Sequence, residues 1–106
     1  MSLIDKAAEH FGMYEVRIIE VPEWEAVIYA KPINIAEKQK LTKLAQGDDY
    51  EFLMRLMVMK AEDEQGNKLF READLMKIRR EVDPAIVARV ATQIGRAPTV
   101  EEQQGN

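Results

Sequence analysis

A nearly continuous apolar run in the middle of the chain is the feature that most limits how this sequence can fold. Residues 52–59 read FLMRLMVM, interrupted only by Arg55, and Lys60 follows them. Upstream, Asp48 is a good helix N-cap and Glu51 stands three residues later, so the run is predicted to be helical. A helix that is apolar on most sides must be surrounded by other elements. The sequence therefore predicts a central buried helix, too short for a bilayer, which needs about 20 apolar residues.

Four more helices are predicted around this run from capping residues and apolar spacing. Caps stand at Ser2, at Asn34 with Glu37 three residues later, and at Asp83 before Pro84. The predicted apolar stripes are Leu3, Ala7 and Ala8; Leu41, Leu44 and Ala45; Leu75, Ile78 and Val82; and Ile86, Val87, Val90, Ala91 and Ile94. The fourth helix is expected at about residues 72–82.

Residues 14–31 have a different pattern, which predicts a β-hairpin. Two runs rich in β-branched residues, 14–21 and 26–31, flank a connection that contains Pro22. A two-stranded hairpin is marginal alone, so it must pack on helices or pair with another subunit. We therefore predict an α+β fold, mostly helical, with about five helices and one β-hairpin near the N-terminus. Residues 1–95 are expected to form a single globular domain and residues 96–106 a mobile tail.

The composition argues against most catalytic chemistry. The 106 residues include no cysteine and one histidine, which removes thiolate sites and most imidazole-based ones. A net charge of -4 gives no electrostatic reason to bind nucleic acid or anionic lipid. Asp5 and Glu9 stand where a signal peptide would be apolar, which favours the cytoplasm. We expect no catalytic, cofactor-binding or metal-binding residues, and neither nucleic acid nor membrane as a partner.

One segment imitates a calcium-binding loop. If Ala61 is taken as position 1, then Gly66 at position 6 and Glu72 at position 12 fit the pattern. Position 1 needs a carboxylate, however, and Lys68 occupies a position that is normally apolar. The preferred prediction is a turn between helices in which Gly66 or Asn67 adopts a positive φ.

Four residues are predicted to contact a protein partner: Trp24, Tyr29, Met57 and Phe70. Trp24 lies at the predicted hairpin tip, where a tryptophan either covers the core or meets a partner, and both interpretations stay open. Met57 belongs to a methionine-rich run, which is more often core filler than an adaptable binding groove.

Two short motifs and their order give a resemblance to a known family. PEW at residues 22–24 precedes the second strand, and DEQGNKLF at residues 63–70 precedes Asp74 and Leu75. Over about residues 14–95 this order resembles the tail assembly chaperones of long-tailed bacteriophages. Arg71 departs from the small capping residue expected after Leu-Phe, which affects where the fourth helix begins.

The resemblance implies a protein that works by binding and not by catalysis. Such chaperones bind the tape measure protein, keep it soluble, help to recruit tail-tube subunits, and are not retained in the mature tail. The implied location is the cytoplasm of the bacterial host during phage assembly. Self-association through the unpaired hairpin edge is a further hypothesis. A charged exterior with an apolar groove or edge suits this role.

Two other kinds of protein remain as alternatives. The first is a small phage or prophage adaptor, or a regulatory protein-binding module, which fits all of these features except the motif at residues 63–70. The second is a nucleic-acid binder that uses Arg79, Arg80 and Arg89, which the acidic charge disfavours. An enzyme is the least expected class.

Overall fold

The computed structural model describes residues 2–96. This part of the chain contains five α-helices and one β-hairpin, joined by turns. The strands are β1 (Arg17–Val21) and β2 (Ala26–Ala30). The helices are α1 (Leu3–Gly12), α2 (Ile35–Ala45), α3 (Asp49–Lys60), α4 (Leu75–Glu81) and α5 (Pro84–Gly95). The predicted α+β fold is confirmed. The predicted tail, apart from Arg96, lies outside the described residues.

α3 is the centre of the hydrophobic core. It packs against α2, α4 and α5, and its side chains Met54, Leu56 and Met57 are buried. The prediction of a central buried helix is therefore confirmed. Met57 is 0% exposed, so the expectation that it contacts a partner is wrong. Its flexible thioether fills the interior, where it has no surface to present.

The hairpin covers one side of this core with its inner face. Ile19 of β1 is directly opposite Ile28 of β2, and both are buried together with Val21 and Ala30. Their neighbours Ile18 and Val27 point to the opposite face, because successive side chains of a strand alternate. The doublets Ile18-Ile19 and Val27-Ile28 thus make both faces apolar, whereas helices cover only the inner one.

Local capping sets where several helices begin. The Asn34 carboxamide accepts from the Glu37 N–H at 2.8 Å, and the Glu37 carboxylate accepts from the Asn34 N–H at 3.0 Å, which completes the predicted capping box. Asp48 caps α3 by accepting from the Glu51 N–H at 3.0 Å. The Glu51 carboxylate does not accept a hydrogen bond from the Asp48 N–H, because it binds Arg79 of α4 instead. The second box is therefore half formed.

Lys60 is the buried cation among the described residues. Its Nζ donates to both carboxylate oxygens of Glu37, at 3.0 and 3.1 Å, which joins the end of α3 to the start of α2. Burial alone would raise the pKa of Glu37, but the Asn34 N–H and the Lys60 ammonium outweigh it and lower that pKa below 4.5. The carboxylate thus stays ionised, as a cap and as a counterion.

Two predicted elements differ from expectation in detail. The fourth helix begins with a 3-10 turn at Glu72–Asp74, where the Asp74 carboxylate accepts from the Arg71 N–H at 2.8 Å, and α4 follows. The backbone of Arg71 thus takes the position of the expected small cap. α1 forms as predicted with Ser2 as its cap, but none of its residues is buried.

We expect Leu56→Asp to be severely destabilising, because it places an unpaired charge at a side chain that is 3% exposed in the centre of the core. The loss should be at least about 3 kcal/mol, or more than about 10 °C in the melting temperature. Circular dichroism melting measures it. Ile35→Asp, at a position 78% exposed, is the matched control and should melt like the parent. Equal melting of Leu56→Asp and the parent would show that another helix is central.

Glu37→Gln should cost about 1–3 kcal/mol of unfolding free energy at neutral pH, because Lys60 then loses its counterion. The pKa of Glu37 is lowered on folding, so its contribution is complete above the ordinary value of 4.5 and is lost as the pH falls through the folded value. Urea denaturation should therefore show parent and variant converging in acid. Glu64→Gln, at an exposed position, is the control. A difference that is constant from neutral pH to acid would contradict this account.

A candidate partner-binding surface

Two of the predicted contact residues, distant in sequence, meet at one end of the hairpin. The rings of Trp24 and Phe70 are 6.4 Å apart between centroids and inclined at 77°, an edge-to-face pair. Both side chains are half-buried and pack against the core from outside. Trp24 thus combines its two proposed roles, since one part of the ring covers the core and another remains accessible.

The hairpin connection fixes Trp24 in this place. Pro22–Trp24 forms a 3-10 turn with the proline at its start, where a fixed φ and a missing N–H cost nothing. The turn is closed by the Glu25 N–H, which donates to the Pro22 carbonyl at 3.1 Å. Glu25 itself adopts a left-handed φ of 50° and reverses the chain into β2. The tryptophan is therefore set by a constrained backbone and not by a loose loop.

A bidentate ion pair lies beside the aromatic pair. The two terminal nitrogens of Arg89, on α5, donate to the two carboxylate oxygens of Glu23 at 2.8 and 2.7 Å. The two hydrogen bonds that the guanidinium donates lower the pKa of Glu23 to about 2 and raise the pKa of Arg89. The contact ties the hairpin tip to α5. No sequence signal marks it, because its partners are far apart in the chain.

The segment that carries Phe70 is attached to the hairpin through main-chain bonds. Tyr29 and Glu62 exchange two backbone hydrogen bonds, each 2.8 Å, and the Leu69 N–H donates to the Ala61 carbonyl. Part of the β2 edge, which was expected to be unpaired, is therefore covered by the chain itself. Tyr29 is half-buried on the outer face of the hairpin and lies apart from the Trp24–Phe70 pair.

The loop that imitates a calcium site is stabilised by its own side chains. The Asp63 carboxylate accepts from the backbone N–H groups of Asn67 and Gln65, both at 2.9 Å, and these bonds lower its pKa. Gly66 adopts the predicted positive φ, at 88°. Ala61, at the first ligand position, is buried. Among residues 2–96, no three His, Cys, Asp or Glu side chains are grouped to hold a metal ion.

The outer face of the hairpin is a second apolar surface, separate from the aromatic pair. Ile18 is 63% exposed and Val27 44% exposed, while Val16 is also exposed and Tyr29 half-buried. The isoleucine and valine doublets were the available sequence signal for it. Within the described residues, no helix is long and apolar enough to cross a membrane.

Arg89→Gln should return the pKa of Glu23 from about 2 toward its ordinary value of 4.5, because the bidentate guanidinium contact is removed. The carboxyl carbon shift of Glu23, followed by NMR near pH 4, measures the ionised fraction. The parent should still be ionised there, and a clearly larger fraction of the variant should be protonated. Arg80→Gln, an exposed arginine on α4, is the control. A fully ionised Glu23 in Arg89→Gln would show that the ion pair does not hold the carboxylate.

Comparison with known proteins leaves the chain without an assigned relative. No protein-family model, no curated protein and no solved structure matches it. Its function must therefore be inferred from its own residues and from their arrangement.

Proposed function

We propose that this chain is a bacteriophage tail assembly chaperone that binds the tape measure protein and is not an enzyme. In this role it keeps the client soluble in the cytoplasm of the infected bacterium and helps to recruit tail-tube subunits. The observation that carries the proposal is the contact between Trp24 and Phe70. PEW and DEQGNKLF, whose order gives the family resemblance, thereby become parts of one surface.

The chemistry of this surface suits an apolar protein segment. A partly exposed aromatic pair offers area for an apolar helix stripe, which is how amphipathic helices are recognised in grooves. Leu69, the chain neighbour of Phe70, is also exposed. Glu23 and Arg89 give it a charged border that is already paired, so a client need not desolvate an isolated charge.

A single small surface of this kind binds its client with low affinity, and a chaperone of this type needs low affinity. A client that must later be surrounded by tube subunits has to be released from its chaperone. Several copies along one client chain give avidity without tight individual binding. A net charge of -4 on each copy favours the solubility of the covered client.

Trp24→Ala and Phe70→Ala should each weaken client binding by about 2 kcal/mol, roughly 30-fold, because each removes half of the aromatic pair. The experiment is co-expression of this chain with the product of the large adjacent gene, which the proposal identifies as the tape measure protein, measuring the soluble fraction of that product. The parent should keep it soluble and the variants should not.

Two further variants separate binding from folding. Leu69→Asp places a charge at an exposed residue next to Phe70 in the chain and should also lose the client while melting like the parent. Tyr50→Ala removes an exposed aromatic from the first turn of α3 and should retain the client. A tape measure protein that is equally soluble without this chain would contradict the proposal. That result would favour the adaptor alternative.

A further inference from the structure

α1 is amphipathic and yet has no apolar partner in the described chain. At about 100° per residue, Leu3, Ile4, Ala7, Ala8 and Phe11 fall on one arc of about 140°. Nevertheless Leu3 is 81% exposed and Ile4 74% exposed, and no residue of the helix is buried. An isolated helix of ten residues is marginal in water, since most helical stability comes from packing an apolar face. The helix therefore requires a surface to lie on.

The outer face of the hairpin is a surface that requires a cover. Ile18 and Val27 are its exposed centre, with Val16 and Tyr29 on the same face. This patch and the arc of α1 match in length, because ten helical residues rise about 15 Å and a five-residue strand about 16 Å.

Charges at the border of each surface are also complementary. Glu20 is exposed on the outer face beside Val27, to which it is paired in register. Lys6 stands on one flank of the apolar arc of α1, and Asp5 and Glu9 lie toward the opposite flank, by the same helical spacing. An α1 helix laid over the hairpin can therefore place a cation near the carboxylate of Glu20 while burying its apolar side.

The α1 helix does not cover the hairpin of its own chain, since Ile18 is 63% exposed and no residue of α1 is buried. The N–H groups of Met13 and Tyr14 donate to the last carbonyls of α1 at 3.2 Å, and the Tyr14 ring packs against His10 and Phe11. Only residues 15 and 16 remain before β1. The extended reach from residue 14 to residue 17 is roughly 10 Å. A connection this short keeps α1 beside the start of β1, and in the structure it leaves both the apolar arc of α1 and the outer hairpin face exposed.

We propose that two copies of this chain exchange their α1 helices, each helix lying on the outer hairpin face of the other copy. The arrangement is reciprocal, so a two-fold axis buries both apolar surfaces of both copies and leaves no further α1 site open. It uses the face of the hairpin, whereas the aromatic pair of Trp24 and Phe70 is a different surface. The dimer does not depend on the proposed client, and its test needs only the purified chain.

Light scattering during size-exclusion chromatography should give twice the chain mass of 12.2 kDa at high concentration. The chain contains no cysteine, so introduced cysteines report contacts without background. Ala7→Cys combined with Val27→Cys should form a disulfide between two chains under oxidation. Ala7→Cys combined with Thr92→Cys, an exposed position on α5, is the control pair and should form far less.

Complementation of two defective copies tests the exchange itself. Leu3→Glu and Ile18→Lys lie outside the core and should each give a folded monomer. A mixture of the two should dimerise again, because one intact helix meets one intact hairpin face. Tyr50→Glu, an exposed position on α3, should leave the parent dimer unchanged.

Three results would overturn the proposal. If the mass of the parent chain by light scattering remains 12.2 kDa at every concentration, then the chain is a monomer and no second copy lies on its hairpin. If the double variant Ala7→Cys with Val27→Cys forms its disulfide within a single chain, then α1 covers its own hairpin. A dimer that survives both Leu3→Glu and Ile18→Lys would be formed by some other surface.

Discussion

The burial of α3 is the constraint on which the rest of the fold depends. A helix apolar on nearly every side cannot be satisfied by one neighbour, so α2, α4 and α5 pack around it. Ion pairs then fix these neighbours at the ends of α3: Glu51 at its start binds Arg79 of α4, and Lys60 at its end binds Glu37 of α2. Because charged partners at helix ends have defined geometry, they set the position of helices that apolar packing alone would leave free to slide.

Elements that depend on local chemistry could be predicted from the sequence. The Asn34–Glu37 capping box and the stripe of α5 are decided by residues a few positions apart, and both form as predicted. The inside of α3 was harder to assign, because a helix that is apolar all round does not indicate which methionine faces outward. Met57 was named as a candidate partner contact, although such a methionine-rich run is more often core filler, and it is buried.

Contacts between distant segments could not be predicted in the same way. The Glu23–Arg89 pair depends on the packing of the hairpin on α5, and the Trp24–Phe70 contact depends on the attachment of residues 61–70 to the hairpin. The sequence contained Trp24 and Phe70 as candidates but had no information on their distance. The spacing of apolar residues also predicted the apolar face of α1, but such spacing does not identify the surface that covers that face. The candidate site was therefore predicted as separate residues, and its assembly comes from the fold.

Hydrogen-bonded carboxylates join the elements of the described fold. In Glu23, Glu37, Glu51 and Asp63 the pKa is lowered in every case, by hydrogen bonds from an arginine, a lysine or backbone N–H groups. Such carboxylates are fixed acceptors that join elements together. Three accessible surfaces of the described residues are apolar: the aromatic pair at the hairpin tip, the outer hairpin face and the stripe of α1. Removing such apolar surfaces from water by contact with another surface is favourable, and this is the physical basis of both proposed interactions.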